Sequence, residues 1–377
     1  MNTSLIKASI ANAYYKTRSM LVGNLSNASG LLALINSSGQ TTKYVASANY
    51  GSFGTFYPQP LDGGTLQQNS VTWSNDGTLI CYSGTYASGS DSRVQVYPFV
   101  AGFGTLYSGG PAVAGTVSAL RAKLNYPSTA VAFAVYGDTT VSAAPIRAYA
   151  FSKSTGYGTQ YANYTATAQS NGTIAWHPSN TAIVYCGSYT GASSCSFILP
   201  WSDSTGFGTQ VNTPTPTTVR PVFNATGTAI AFVDSTASPY LIVYPWTGSA
   251  FGTAYASITA MDLRTTQSQN VAWSPTNNTF VRGYRTTSPY IGAYPWTDAG
   301  GVGTKYTNPA SAWVGYEVTA VAVSPTADTI SCSSGYNFSG GEGVQSWNFT
   351  EGTGFGTKYP ASNIWPFSQA PSLSYRN

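Results

Sequence analysis

Apolar and polar residues alternate along most of this chain in short bursts separated by turn-forming residues. In "VTWSNDGTLICYS", beginning at Val71, a two-residue period runs into a Ser-Asn-Asp-Gly turn and resumes after it, which predicts a hairpin of strands. The pattern returns as "IAWHPSNTAIVYC" from Ile174, "PVFNATGTAIAFV" from Pro221, "VAWSPTNNTFVRG" from Val271 and "VAVSPTADTISCS" from Val321, with a shortened form, "LNYPSTAVAFAVY", from Leu124. A further strand follows as "VQVYPF" from Val94, "SFILPW" from Ser196, "LIVYPW" from Leu241 and "YIGAYPW" from Tyr290. Its Pro has no N–H to donate and stops the ladder there.

A fourth phrase occurs seven times: an aromatic residue or Val, then Gly-Thr, then in most copies a Tyr two residues on. Its glycines are Gly54, Gly104, Gly158, Gly208, Gly252, Gly303 and Gly356, about 50 residues apart, a period of propeller blades and similar arrays. Each unit therefore predicts a four-stranded antiparallel meander. Such sheets cannot bury both faces alone, but arranged radially they pack face to face. The expected fold is all-β, a seven-bladed β-propeller of four-stranded antiparallel blades. The glycine of Gly-Thr predicts a bend or close backbone approach on the fourth strand, and the aromatics around it predict packing between blades.

The repeat occupies residues 28–377, leaving 1–27 as an N-terminal arm that carries Lys7, Lys16 and Arg18 and no acid. "PSLSYRN" at the C-terminus places Leu373 and Tyr375 where the hairpin repeat has Val71 and Trp73, and "SGLLALINSS" at 29–38 supplies the strand that should come next. A ring closed by the C-terminal strand pairing with the N-terminal blade accounts for both. The rival reading, in which "VGNLSNASGLL" at 22–32 supplies the inner strand, stays open. No run is apolar enough for a secretory signal or membrane span.

Charged residues make up only 7% of the chain, against about 25% in ordinary soluble proteins. The net charge is +4 and the basic residues read as scattered, one per blade, which argues against nucleic acid as a partner. Cys81 and Cys332 read as buried apolar residues, whereas Cys186 and Cys195 flank one loop and could pair. No Cys/His spacing suggests zinc and no acidic loop suggests calcium, so no metal and no cofactor is expected. The one histidine, His177, falls in the turn after the first strand. Most acids, among them Asp62, Asp76, Asp91, Asp138, Asp203, Asp234 and Asp298, stand alone in loops, whereas a glycosidase needs two carboxylates close together. The expectation is no catalytic residue and no enzyme.

In a meander the first-to-second and third-to-fourth turns share one face, and the other connections share the opposite one. The first face repeats from blade to blade; the second varies and is rich in Tyr, Trp, Asn, Ser and Gly, a composition suited to protein contact or to stacking on sugar rings. The candidate partner or glycan contacts there are Tyr86, Tyr189, Trp313, Tyr316, Tyr336 and Trp365.

"VAWSPTNNTF" and "VTWSNDGTLI" resemble the first strand of WD40-like and TolB-like propeller repeats, which implies that this strand is innermost and the Gly-Thr strand outermost. Read together, "YPWTGSAFGTAYAS" at 244–257 and "AYPWTDAGGVGTKYTNPAS" at 293–311, followed by "VAVSP", resemble the repeats of propeller proteins encoded by tailed bacteriophages and related bacterial elements. The resemblance implies a virion structural protein of the tail, neck or head surface, in contact with other virion subunits in a multi-copy assembly. The alternative is a lectin-like propeller, extracellular or at the cell surface, binding host-surface or extracellular glycans through its variable face. The copies depart from the pattern in places: "YAFSKSTGYGT" at 149–159 lacks Pro-Trp, and Val211 stands where other units have Tyr.

Overall fold

The computed structural model describes residues 31–35, 41–45, 66–86, 91–99, 102–114, 119–136, 146–164, 170–189, 192–214, 218–234, 241–256, 271–284, 290–310, 318–334, 344–359 and 372–376. These residues form antiparallel sheets, called I to VII here in chain order. In sheet II, Leu66–Trp73 pairs with Leu79–Tyr86, that strand with Asp91–Pro98, and that with Ala112–Ala114, each strand beside its predecessor. Sheet III (Ala119–Leu124, Ala130–Tyr136, Ile146–Ser152, Gly156–Gln160), sheet VI (Val271–Trp273, Thr279–Gly283, Ile291–Thr297, Gly301–Val302) and sheet VII (Val318–Val323, Thr329–Ser334, Val344–Thr350, Gly354–Lys358) have the same meander.

Sheet I holds three strands among the described residues, and sheets IV and V also depart from the expected four. In sheet IV, Ser170–Trp176, Ala182–Tyr189 and Ala192–Ser202 are followed by a fourth position split between Gly206–Phe207 and Val211–Asn212. Sheet V holds Thr218–Phe223, Ala229–Asp234 and Leu241–Pro245, and its fourth position is reduced to one bridge between Trp246 and Phe251. The connection there is one residue shorter than the one between Trp201 and Phe207, and within it the Thr247 N–H donates to Ala250 O at 3.1 Å.

Sheet I joins the two ends of the sequence. Leu31–Ile35 pairs with Thr41–Val45 on one side and with Ser372–Arg376 on the other, with Leu31 opposite Arg376 and Ile35 opposite Ser372. Of the rival strand at 22–32, residues 22–30 lie outside the described residues, as does the arm at 1–27. The first strands of sheets II to VII lie side by side in succession, and Ser372–Arg376 touches both Leu66–Trp73 and Val318–Val323.

The cores lie between sheets. Leu79, Cys81, Val94 and Val96 of sheet II pack with Ala122, Leu124, Val131 and Phe133 of sheet III. The next joints are built likewise, Ala148 and Ile146 of sheet III with Ile183 and Trp201 of sheet IV, and Val281 and Ile291 of sheet VI with Val321 and Trp347 of sheet VII. Second strands are buried on both faces because each sheet is covered twice; all five residues of Thr279–Gly283 are buried. Cys81 and Cys332 are free thiols buried on second strands. The register sets Cys186 opposite Ser196 and Cys195 opposite Gly187, one step away from facing each other.

The Gly-Thr phrase has a clear packing cause. The N–H of Gly208 donates to the carbonyl of Pro200 at 2.7 Å, and a Cβ at Gly208 would stand 3.1 Å from the Pro200 ring. The close approach expected at this glycine is present. The Tyr two residues beyond Gly-Thr reaches the next sheet: Tyr161 donates its hydroxyl to Asp203 O (2.8 Å), Tyr255 to Asp298 O (2.7 Å) and Tyr107 to Lys153 O (2.5 Å). Its ring lies over the glycine that precedes the aromatic of the next phrase. Gly206 has φ of +78°, and a Cβ there would meet Tyr161 Cδ1 at 3.0 Å. Where Val211 replaces the Tyr, the receiving residue in sheet V is Ala250 and not Gly.

Candidate functional site

Both predicted sets of turns meet on one face, and the acids there are engaged. Asp203, in the third-to-fourth turn of sheet IV, accepts at Oδ1 from Trp201 Nε1 (2.8 Å) and Asn180 Nδ2 (3.0 Å). Its Oδ2 accepts from Thr129 Oγ1 of sheet III (2.6 Å). Asp298 of sheet VI repeats this arrangement with Trp296 Nε1 (2.9 Å), Asn277 Nδ2 (3.1 Å) and Thr228 Oγ1 of sheet V (2.6 Å). Glu351 of sheet VII accepts from Thr276 Oγ1 (2.5 Å) and Asn278 Nδ2 (3.3 Å) of sheet VI. Burial pushes these carboxyls up, but the donated hydrogen bonds outweigh it and hold all three below the usual range. Between sheets II and III the charges are exchanged, with Lys153 in the third-to-fourth turn and Asp76 in the facing first turn, joined as an exposed ion pair. The reading of Asp76, Asp203 and Asp298 as isolated loop acids is thus corrected: each one ties a turn to its neighbour, a contact across some 70 residues of sequence that no local pattern reveals.

His177 begins the first-to-second turn of sheet IV, as its sequence position predicts. Its Nδ1 accepts from the Ser179 N–H (3.1 Å), which leaves the proton on Nε2 to donate to Gly227 O of sheet V (3.1 Å). Phe223 stands edge-on at 4.9 Å. Burial lowers the imidazole pKa, so the ring is held neutral.

Beside these turns a cavity of about 260 Å³ opens among sheets II to V. Its walls include Thr72 and Asn75 of sheet II, Lys123 and Tyr126 of sheet III, Trp176 of sheet IV and Phe223 of sheet V. All stand at the ends of first strands or in the turns just after them. Arg121 lies two residues before Lys123, a step of about 7 Å that returns to the same face of the strand. Arg220 occupies the matching position in sheet V. Burial first, then repulsion by Arg220 and Arg121, pushes the Lys123 ammonium down to about 8. Burial and Arg121 lower the Arg220 guanidinium, and burial lowers that of Arg121; both remain protonated at neutral pH.

The expectation of scattered basic residues fails here, because Arg121 and Lys123 share a strand and Arg220, two sheets on, lies within electrostatic reach of both. Aligned repeats carry a signal for this. The position of Lys123 is held elsewhere by Thr72, Ala175, Val222, Ala272 and Ala322, and that of Arg121 and Arg220 by Ser70, Thr173 and Ala320.

Of the contacts chosen from sequence, Tyr86 and Tyr189 end the second strands of sheets II and IV, opposite Leu66 and Ala192 in register, at the far end of those sheets from the cavity. Trp313, Tyr316, Tyr336 and Trp365 lie outside the described residues. Among the described residues no cluster of His, Cys, Asp or Glu could hold a metal ion, and no helix is long and apolar enough to cross a membrane.

No protein-family model and no curated protein sequence matches the chain. Solved structures do match in fold. A candidate 6-phosphogluconolactonase of Bacteroides fragilis superposes with a TM-score of 0.63 at 11% identity, covering 93% of this chain and 99% of that one. A protein from Lactobacillus plantarum gives 0.61 at 10% identity over 92% and 99% of the two chains. The β-propeller domain of Cps50 (Swd1) from Myceliophteria thermophila gives 0.53 at 11% identity over 84% and 94%. At such identities the likeness establishes a β-propeller fold and nothing about activity.

Proposed function

We propose that the chain forms a seven-bladed ring closed by its C-terminal strand, and that this disc is a non-enzymatic structural component of a bacteriophage particle, making protein or host contacts. Closure is supported by Ser372–Arg376, which pairs with Leu31–Ile35 while touching the first strands of sheets II and VII. The observation that carries the structural role is the repeated joint between sheets, in which a carboxylate and a tyrosine of one unit fasten the next. Such joints favour a stiff platform over a catalytic cleft. Asp203, Asp298 and Glu351 are committed to them, and both ring nitrogens of His177 are hydrogen-bonded.

The phage context rests on the resemblance of the Tyr-Pro-Trp and Gly-Thr repeats. Its test is peptide mass spectrometry of density-purified particles from the source culture. Stoichiometric presence of this chain in the particle band is the expected result, and absence from the band together with glycan binding by the free protein overturns it in favour of the lectin-like reading. Ring closure has a separate test: deletion of residues 370–377 should sharply lower the melting temperature, and an unchanged melting temperature refutes closure by this strand.

A further inference from the structure

We infer that the joint between sheets IV and V is an acid-sensitive seam: protonation of His177 releases the turn that it fastens, and the turn ends of the two sheets part in mild acid while the neighbouring joints stay closed. The inference does not depend on the phage reading, since it rests on what each joint is made of.

The joints differ in what holds them. Sheet III is fastened to sheet II by the ion pair of Lys153 with Asp76 and by Tyr107, whose hydroxyl donates to Lys153 O. Asp203 and Tyr161 join sheets III and IV, and Asp298 and Tyr255 join sheets V and VI. Between sheets VI and VII stand Glu351 and Tyr306, whose hydroxyl accepts from the Gly352 N–H at 3.0 Å. The joint between sheets IV and V has neither device. Val211 stands where the tyrosine would be, and Thr247 and Gly248 form the turn in place of the acid. In the sister turns Trp201 and Trp296 donate their indole N–H to that acid, whereas Trp246 Nε1 is buried with no partner.

His177 takes over this joint. It holds the turn position that Ser74, Asn125, Asn224, Ser274 and Ser324 hold elsewhere, each with its N–H on the carbonyl five residues ahead. Its ring reaches across to sheet V, donating from Nε2 to Gly227 O (3.1 Å), while Nδ1 accepts from the Ser179 N–H (3.1 Å) and lies 3.1 Å from Thr181 Oγ1. The facing turn makes room for it: a Cβ at Gly227 would stand 2.3 Å from Nε2, and the sister turns place Asn180 and Asn277 at this position to bond Asp203 and Asp298. A neutral imidazole, with one donor and one acceptor nitrogen, fits these partners. An imidazolium has two donors, so a proton on Nδ1 sets one N–H against that of Ser179 and places a charge beside Phe223.

The groups facing the ring are Ser179 and Thr181 of its own turn and Phe223 and Gly227 of sheet V, none of which titrates in this range, and the turn from Thr247 to Ala250 carries no charge. The acids that these two first turns do bond belong to the joints on either side, Asp203 through Asn180 and Asp298 through Asn224. Burial lowers the imidazole pKa and the Gly227 bond offsets this only in part, with no charged group contributing. The hold of the neutral ring is therefore complete above the ordinary imidazole value of 6.5 and is lost as pH falls through the lower folded-state value. Asp76, Asp203, Asp298 and Glu351 are held below the ordinary carboxylate range, so their joints persist through that window. Beneath the turn, Val184, Ile198, Ile230 and Phe232 form an apolar core that is indifferent to pH, which confines the opening to the turn end.

The test is hydrogen exchange of the full-length protein at about pH 7.5 and about pH 5.5, corrected for intrinsic rates and read by mass spectrometry. Peptides covering 177–182 and 223–228 report the seam, and those covering 274–279 and 324–329 serve as references. Protection at the seam should fall by up to about tenfold, the limit set by an open-state value of 6.5, and the references should keep theirs. Because the chain has a single histidine, its imidazole C–H resonances report the titration directly in the wild type, and their midpoint should lie below 6.5 and coincide with the loss of protection. His177→Asn, which supplies the side chain of Asn125 and Asn224, should abolish the pH dependence at the seam; if this variant does not fold, the two wild-type midpoints decide. Protection at the seam that does not change with pH, an equal loss at the reference turns, a titration midpoint at or above 6.5, or the same pH dependence in a folded variant each overturns the inference.

Discussion

Replacing Gly206 by Ala tests the joint between sheets III and IV at its narrowest point. Two separable costs are expected. The backbone there has φ of +78°, and a left-handed conformation costs an L-residue about 1–2 kcal/mol. The new methyl would also stand 3.0–3.2 Å from the Cδ1, Cβ and Cγ atoms of Tyr161, and overpacking of that kind costs about 1–3 kcal/mol. Tyr161→Val alone removes the hydroxyl bond to Asp203 O (2.8 Å) and the edge-on contact with Trp201 at 4.8 Å, together about 2 kcal/mol. In the double variant the ring is gone and the Cβ contact at 3.1 Å stays, so part of the overpacking is relieved while the backbone cost of the glycine substitution remains. The double variant should therefore be less destabilised than the sum of the singles by about 1–3 kcal/mol, a coupling readable in a double-mutant cycle. Urea unfolding followed by tryptophan fluorescence supplies the free energies. Additivity within about 0.5 kcal/mol would falsify the claim that the tyrosine ring is what requires a glycine beneath it.

Three other substitutions probe the titratable groups. His177→Ser, which restores the residue most common at this turn position, should cost about 2 kcal/mol in the same urea assay through loss of the Gly227 bond and the Phe223 contact; a change below about 0.5 kcal/mol would show that His177 does not fasten sheet IV to sheet V. The lowered pKa of Asp298 gives stability that is present above the ordinary carboxylate range and lost as pH falls through the folded-state value. Asp298→Asn should thus cost about 1–2 kcal/mol at neutral pH, limited by solvent screening at this exposed turn, and the gap to wild type should shrink as the pH is lowered through and below the ordinary carboxylate range; a gap that stays constant refutes the carboxylate's role. Lys123 behaves in the opposite way, because its folded-state value of about 8 lies below the ordinary lysine value of 10.5. The native state gives up this proton first, so the cost is full below about pH 8 and disappears as pH rises through the unfolded value. Lys123→Gln should stabilise the protein by about 2–3 kcal/mol at pH 7 and by little at pH 11, and equal melting temperatures at pH 7 would refute the cost assigned to burying this charge beside Arg220 and Arg121.

The strand order and hairpins were legible because they depend on local alternation and turn chemistry, repeated often enough to average out the exceptions. Sheet V shows the limit, since its copy of the Gly-Thr phrase is intact while the connection before it is one residue short, and the strand contracts to a single bridge. The cavity was missed for a different reason. Lys123 and Arg220 are 97 positions and two sheets apart, and only the succession of first strands brings the two basic residues within electrostatic reach. A single sequence shows its repeats as a list, whereas the fold sets each copy against the next.

That distinction also explains the irregular copies, which become regular when they are compared across a joint. Lys153 replaces an acid in the third-to-fourth turn of sheet III, and the turn it faces in sheet II carries Asp76 where the other described turns carry Ser, Thr or Pro. Val211 replaces the tyrosine of sheet IV, and the residue that would receive its ring in sheet V is Ala250. The third-to-fourth turn of sheet V offers Thr247 and no carboxylate, its hydroxyl bonding to Ala250 O within the turn. On the facing side of that same joint stands the one histidine, which reaches across to Gly227 O. Each loss is matched by a change in the residue opposite. The unit that the physics acts on is therefore the joint between two copies.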